Sequence, residues 1–170
     1  MHAKRIQLTL FIEGAKAVEI EKIRKAFNAE QYALIKSHVT LCREDELEQI
    51  EKVIQNLEQL NAACITIYFG NVVRFSNGKG VLIPAVGNNK SFQQLRANVL
   101  SGVTESSRIH EPHITLMHPR NSTCTDIIFE TIAVCDFPAS ITFSSIALIE
   151  QEQGMPWNIV QQFELKENMR

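Results

Sequence analysis

Ser37-His38-Val39-Thr40-Leu41 and Pro112-His113-Ile114-Thr115-Leu116 are near-copies of one short pattern, 75 positions apart. Each reads His-x-Thr-Leu with a β-branched residue at x. Side chains alternate faces along a strand. As strands, the runs put His38 with Thr40 on one face, and likewise His113 with Thr115. Two imidazoles and two hydroxyls set opposite each other around a cleft suit a bound phosphate. One ring can take a proton while the other gives one.

The flanking sequence supports strands and surrounds them with helices. Arg5 to Ile12 alternates and is β-rich, so it reads as a strand; Leu34 to Cys42 carries the first motif. Between them Gly14 opens a helical stretch over Ala15 to Asn28, with Val18, Ile20, Ile23 and Phe27 at helical spacing. Glu44 to Leu60 reads as one amphipathic helix, its stripe Leu47, Ile50, Val53, Ile54, Leu57 and Leu60. Cys64 to Phe75 is a strand bent at Gly70. Ser76-Asn77-Gly78-Lys79-Gly80 is a hairpin turn leading into Val81 to Val86. Asn88 or Asn89 caps a helix over Ser91 to Ser101. His113 to His118 is the second motif strand and Asp126 to Cys135 a helix. Ser140 to Glu150 and Trp157 to Leu165 close the chain as two strands.

The fold expected is α+β: a single domain over residues 1–170, built as a bilobal, pseudo-symmetric duplicated unit. Two antiparallel sheets face a central groove, with helices on the outside and motifs at 38–41 and 113–116.

The chain has 170 residues, 45% apolar and 21% charged, which is the composition of a soluble globular protein with a real core. A formal net charge of −2 argues against coating long duplex nucleic acid, which needs many cationic phosphate contacts. It leaves room for a small phosphate compound, a nucleotide or an RNA end in a local basic pocket. Cys42, Cys64, Cys124 and Cys135 form no C-x-x-C pair and read as buried thiols in a reducing compartment. There is no signal-peptide apolar region and no run of membrane-spanning length. The expectation is a cytoplasmic monomer without membrane partners.

His110, His113 and His118 raise the question of a metal. Pro112 disfavours a helix across the first two, and His113 and His118 fall on opposite sides of a strand, so no metal and no cofactor is expected. His110 reads as loop surface and His2 as a terminal residue. Cys42 falls on the strand face of His38 and Thr40, where a buried filler is favoured over a nucleophile. Tyr32, Phe69, Phe75 and Trp157 are candidates to stack a base.

The paired His-x-Thr-Leu motifs, one in each half of a short chain, resemble those of the 2H phosphoesterase superfamily, which includes LigT-like 2′–5′ RNA ligases and cyclic phosphodiesterases. The resemblance implies a metal-independent phosphoesterase acting on a 2′,3′-cyclic phosphate or a 2′–5′ phosphodiester. His38 and His113 would be the catalytic acid and base, with Thr40 and Thr115 binding the phosphate. The family pattern often extends to His-x-Thr-Leu-x-Arg. Arg43 matches it in the first motif. In the second, His118 stands where the arginine belongs, and Arg120, Arg108 or Arg74 would supply the charge. The alternative is a non-catalytic module that binds a nucleotide or RNA end on the same fold.

Overall fold

A computed structural model describes residues 3–103 and 108–167; His2 lies outside them. The strands are β1 (Arg5–Phe11), β2 (His38–Cys42), β3 (Ile65–Tyr68), β4 (Val73–Phe75), β5 (Gly80–Pro84), β6 (His113–Met117), β7 (Ser140–Phe143), β8 (Ser145–Gln151) and β9 (Asn158–Glu164). The α-helices are α1 (Val18–Phe27), α2 (Ala29–Leu34), α3 (Ile50–Glu58), α4 (Lys90–Val99) and α5 (Asp126–Ala133). The strands pair antiparallel, as expected.

Seven strands run in the order β4-β5-β6-β2-β1-β8-β9, and β3 pairs with β7 in a small second sheet. The two motif strands are neighbours at the middle of the large sheet. They meet through one ladder pairing, Val39 with Ile114, the x residues of the two motifs. The two expected sheets are therefore joined edge to edge at the motifs.

One face of the sheet is the core. Leu8, Leu10, Val39, Leu41, Ile83, Ile114 and Leu116 are buried there. They belong to one cluster with Ile20 and Ile23 of α1, Val53 and Leu57 of α3, Phe92 and Leu95 of α4, and Ile132 of α5. Helix α1 packs against β6 and α4 against β2, so each half's helix contacts the other half's motif strand. Burying this apolar surface is the main stabilising term, at about 25 cal/mol per Å².

The halves repeat in register as well as in sequence. Thr9 pairs with Thr40 and Leu8 with Cys42, leaving Leu41 as an extra residue. Leu82 pairs with Thr115 and Val81 with Met117, leaving Leu116 extra. Each motif thus carries a β-bulge at the same step. A bulge interrupts alternation and re-aims the residues beyond it. Cys42 is consequently buried in the core and does not share the face of His38 and Thr40, and Met117 is buried likewise.

Several boundaries differ from the sequence reading. Residues 29–34, with good helix formers and no β-branched residue, form α2, so β2 starts only at His38. The expected helix over 44–60 is a 3-10 turn at Glu44–Glu46 followed by α3. Glu46 turns inward to a buried arginine, described below, instead of lying on a continuous helix surface. The closing strand over 140–150 breaks at Ser144, whose carbonyl accepts from the Leu165 N–H at 2.8 Å; β7 leaves for the small sheet while β8 pairs with β1 and β9. The strand over 64–75 likewise splits into β3 and β4. Gly70 lies at the bend, where a Cβ would come within 2.8 Å of Val86 Cγ1. No helix among the described residues is long and apolar enough to cross a membrane.

Candidate active site

The sheet face opposite the core floors a groove of about 710 Å³. Both motifs open into it: His38, Thr40, His113 and Thr115 line it together. The two motif strands share one burial sequence, with His and Thr half-buried and the intervening Val39 or Ile114 buried.

The imidazoles are held alike. His38 Nδ1 lies 2.8 Å from the Lys36 carbonyl, and His113 Nδ1 lies 3.0 Å from the Glu111 carbonyl. A carbonyl only accepts, so each Nδ1 carries the proton and donates. Each Nε2 is thereby left as the free nitrogen, the arrangement a proton-transferring histidine needs. Burial pushes His38 down to about 4, the Lys36 carbonyl opposing, with Arg24 and His113 adding to the lowering.

The segment entering β2 is fixed by residues that the motif does not announce. Glu21 Oε1 accepts from Arg24 Nη1 at 2.7 Å and from the Ser37 N–H at 2.7 Å. Arg24 Nη2 donates to the Ile35 carbonyl at 2.6 Å. This buried clamp from α1 sets residues 35–37, and with them the carbonyl that orients His38. Gln7, on the groove face of β1, donates from Nε2 to Thr9 Oγ1 at 2.9 Å and to Thr40 Oγ1 at 3.1 Å. Thr40 then accepts from Gln7 and keeps its own proton for the groove.

The cations are distributed unequally. Arg5, Arg24, Arg43 and Arg120 line the groove. Arg43 follows the first bulge, and its backbone N–H donates to Glu46 Oε1 at 2.9 Å. Glu46 is gripped by the buried Arg96, Nη2 to Oε2 at 2.6 Å and Nη1 to Oε1 at 3.1 Å. Arg96 also donates to the Leu41 carbonyl. Burial works to raise the Glu46 carboxyl, but Arg96 and the Arg43 N–H outweigh it and hold it below its ordinary value.

In the second half His118 also lines the groove, and Arg120 folds back onto it. His118 Nδ1 accepts from the Arg120 backbone N–H at 3.1 Å and from Arg120 Nε at 3.2 Å. An imidazole accepting at Nδ1 is neutral. Burial first, then Arg120 and Arg5, push His118 down to about 4. The positive charge at this corner thus belongs to Arg120. Arg74 is elsewhere: it pairs with Asp126 at 2.6 Å and donates to the Gly78 and Cys124 carbonyls. Arg108 pairs with Asp45 at 3.5 Å and is not among the groove-lining residues.

His110 is a groove residue, contrary to the loop-surface expectation. Its ring centroid lies 6.0 Å from that of His113. Its Nε2 is buried without a hydrogen-bond partner among the described residues. Burial, with Arg96 and His113, pushes it down to about 4. Cys42 is buried in the core away from the groove, and burial raises its thiol to about 12, which disfavours the thiolate a nucleophile needs. No three His, Cys, Asp or Glu side chains among the described residues gather as a metal site. Of the four aromatic candidates, Trp157 lines the groove and Tyr32 lines an adjoining cavity. Phe69 is buried in the core, and Phe75 covers Gly80, where a Cβ would meet its ring at 2.5 Å.

Comparison with known proteins follows the same lines. Escherichia coli LigT complexed with phosphate superposes with a TM-score of 0.68 at 17% identity, over 98% of this chain and 100% of that one. Its complex with NADP+ gives 0.69 at 14% identity with the same coverage. A structure described only as a phosphoesterase gives 0.67 at 16% identity, over 96% of this chain and 99% of that one. No curated protein sequence matches the chain. At these identities the superpositions establish the fold. The family model of the 2′-5′ RNA ligase superfamily matches residues 12–155, a span that holds both motifs and most of the groove, and the chain belongs to that superfamily.

Proposed function

We propose that the protein is a metal-independent phosphoesterase that opens a 2′,3′-cyclic phosphate, or cleaves a 2′–5′ phosphodiester, at an RNA end or on a nucleotide. The observation that carries this reading is the matched presentation of two imidazoles. Both donate from Nδ1 to the carbonyl two residues upstream, and both line one cationic groove.

In-line displacement at phosphorus needs a proton taken from the attacking water on one side. It needs a proton given to the departing ribose oxygen on the other. Two pseudo-symmetric histidines meet both needs when one ring is neutral and the other protonated. Their roles exchange when the reaction runs toward ligation. Thr40 and Thr115 donate to the non-bridging oxygens, on which charge grows in the transition state. Arg43 and Arg120 neutralise that charge from the ends of the two motifs. The phosphate, ATP and 3′-AMP complexes of E. coli LigT support a small phosphate ligand for this fold.

The test is turnover of nucleoside 2′,3′-cyclic phosphates, and of a short RNA ending in one, with EDTA present. A 2′-monophosphate product that His38→Ala and His113→Ala each abolish is the expected result. A folded protein that binds a 2′-nucleotide but turns over neither substrate would overturn catalysis in favour of a binding module.

A further inference from the structure

A second cavity, of about 610 Å³, adjoins the groove and shares Ile35 and Trp157 with it. Phe11, Tyr32, Trp157 and Ile159 give it an aromatic and apolar lining; Glu13, Glu21, Lys36 and Ser37 give it polar groups. Tyr32 is 36% exposed and Ile159 51% exposed, so this apolar surface is open to a ligand. Trp157 is the dividing wall. Arg5, which lines the groove alone, has its Cζ 5.3 Å over the Trp157 ring. Phe11 stands edge-on to the His38 ring, with centroids 6.2 Å apart. The recess therefore begins beside the first catalytic histidine.

Ser37 adds an independent sign. Its backbone N–H is used by Glu21 and its carbonyl by the Ile12 N–H. Its Oγ is buried with no partner among the described residues. Buried hydroxyls rarely stay unpaired in a finished site.

This lining is not repeated beside His113 among the described residues. Pro84 pairs with His113 where Phe11 pairs with His38. His110 holds the place of Ile35, three residues before the motif histidine, and lies against the buried Phe92 with centroids 6.1 Å apart. The motifs are pseudo-symmetric and their surroundings are not.

We propose that this cavity receives the nucleobase of a substrate whose phosphate lies in the groove. Being on the His38 side, it fixes which way round a nucleotide lies between two near-equivalent histidines. A planar heteroaromatic ring stacks on Trp157 and Tyr32 and offers its edge to Ser37 and Lys36. The proposal rests on the phosphoesterase reading above.

Trp157 is the sole tryptophan of the chain, so intrinsic fluorescence reports on a ligand at the wall between groove and recess, and a base-free control separates the two sides. The experiment titrates the whole protein with 2′-AMP and with methyl riboside 2-phosphate, which keeps the sugar and phosphate but lacks the base. Affinities come from calorimetry in parallel. The expected result is saturable Trp157 quenching by 2′-AMP and affinity about tenfold above that of the riboside, the usual scale of base stacking. Tyr32→Ala is expected to remove most of that preference. Equal affinities in the wild type, or a preference untouched by Tyr32→Ala, would overturn the recess while leaving the phosphate site standing. Binding of neither compound would overturn both.

Discussion

Thr40 and Arg43 line the same groove, although residues three apart on a regular strand face opposite sides. The bulge at Leu41 reconciles them, and the same step recurs at Leu116 between Thr115 and His118. The extended motif is thus a statement about a bulged strand. Removing Arg43 as Arg43→Ala is expected to weaken inorganic phosphate about tenfold, as is Arg120→Ala, by loss of a charge-assisted contact. His118→Ala, which removes a neutral ring, should weaken it less than Arg120→Ala. Calorimetric titration with phosphate checks the order.

His38→Ala and His113→Ala should each lower kcat/KM on a cyclic nucleotide by about 10²–10⁴-fold, the range for loss of a general acid or base. Both rings are half-buried on the groove face and outside the core, so the thermal melts should stay close to wild type. A variant retaining a tenth or more of the activity would remove that histidine from the chemistry.

Gln7 is expected to act through Thr40. In Gln7→Glu a carboxylate replaces the donating amide, accepts the Thr40 proton and turns it away from the groove. Gln7→Leu merely releases it. The loss in kcat/KM should therefore be larger for Gln7→Glu. With Thr40→Ala as background, the two Gln7 variants should differ little from each other, which a double-mutant cycle measures.

Burial holds His38, His110 and His118 near 4 in the folded chain, against about 6.5 when unfolded. Between those values the unfolded chain binds protons that the fold refuses. Stability is then fully present above about pH 6.5 and declines as pH falls toward 4. Melts taken across this range should show the decline, and His110→Phe, which removes one titrating ring against Phe92, should make it shallower.

The buried Glu46–Arg96 pair should be costly to break from one side. Glu46→Ala leaves Arg96 buried and uncompensated, so urea unfolding should show a loss of about 3–5 kcal/mol. It also frees the Arg43 backbone, so phosphate affinity should drop with stability. Unchanged phosphate binding would show that Arg43 is held by other means.

What the sequence disclosed was periodic and local. Alternation exposed β1, β2, β5 and β6, and the repeat of His-x-Thr-Leu identified which of their residues meet. The Asn77-Gly78 signal placed the β4–β5 hairpin, where Ser76 and Asn77 adopt positive φ. What it hid was long-range. The bulges are invisible to alternation, so Cys42 was expected on the wrong face. Arg96 and Glu46 are 50 positions apart, and nothing in either helical pattern marks them as a pair. Gln7 looks like an ordinary polar residue on a solvent-facing strand until Thr40 is set beside it. His110 lies in a segment without periodicity, and it is held at the groove by α4, through packing on Phe92 and the Gln93 side chain donating to its carbonyl.

The single ladder pairing of the two motif strands, Val39 with Ile114, has a bearing on what the groove can accept. Each residue stands one step from its motif histidine, so this pairing sets the spacing of the two imidazoles much as a pivot sets the jaws of a caliper. Elsewhere in the sheet neighbouring strands share several ladder pairings; here there is one, braced by α1 on β6 and α4 on β2. A change in the angle between β2 and β6 would alter the jaw opening while leaving each motif internally intact. Val39→Ala or Ile114→Ala, at a buried contact outside the groove lining, is therefore expected to change the preference among cyclic phosphates of different bulk, which relative kcat/KM values check.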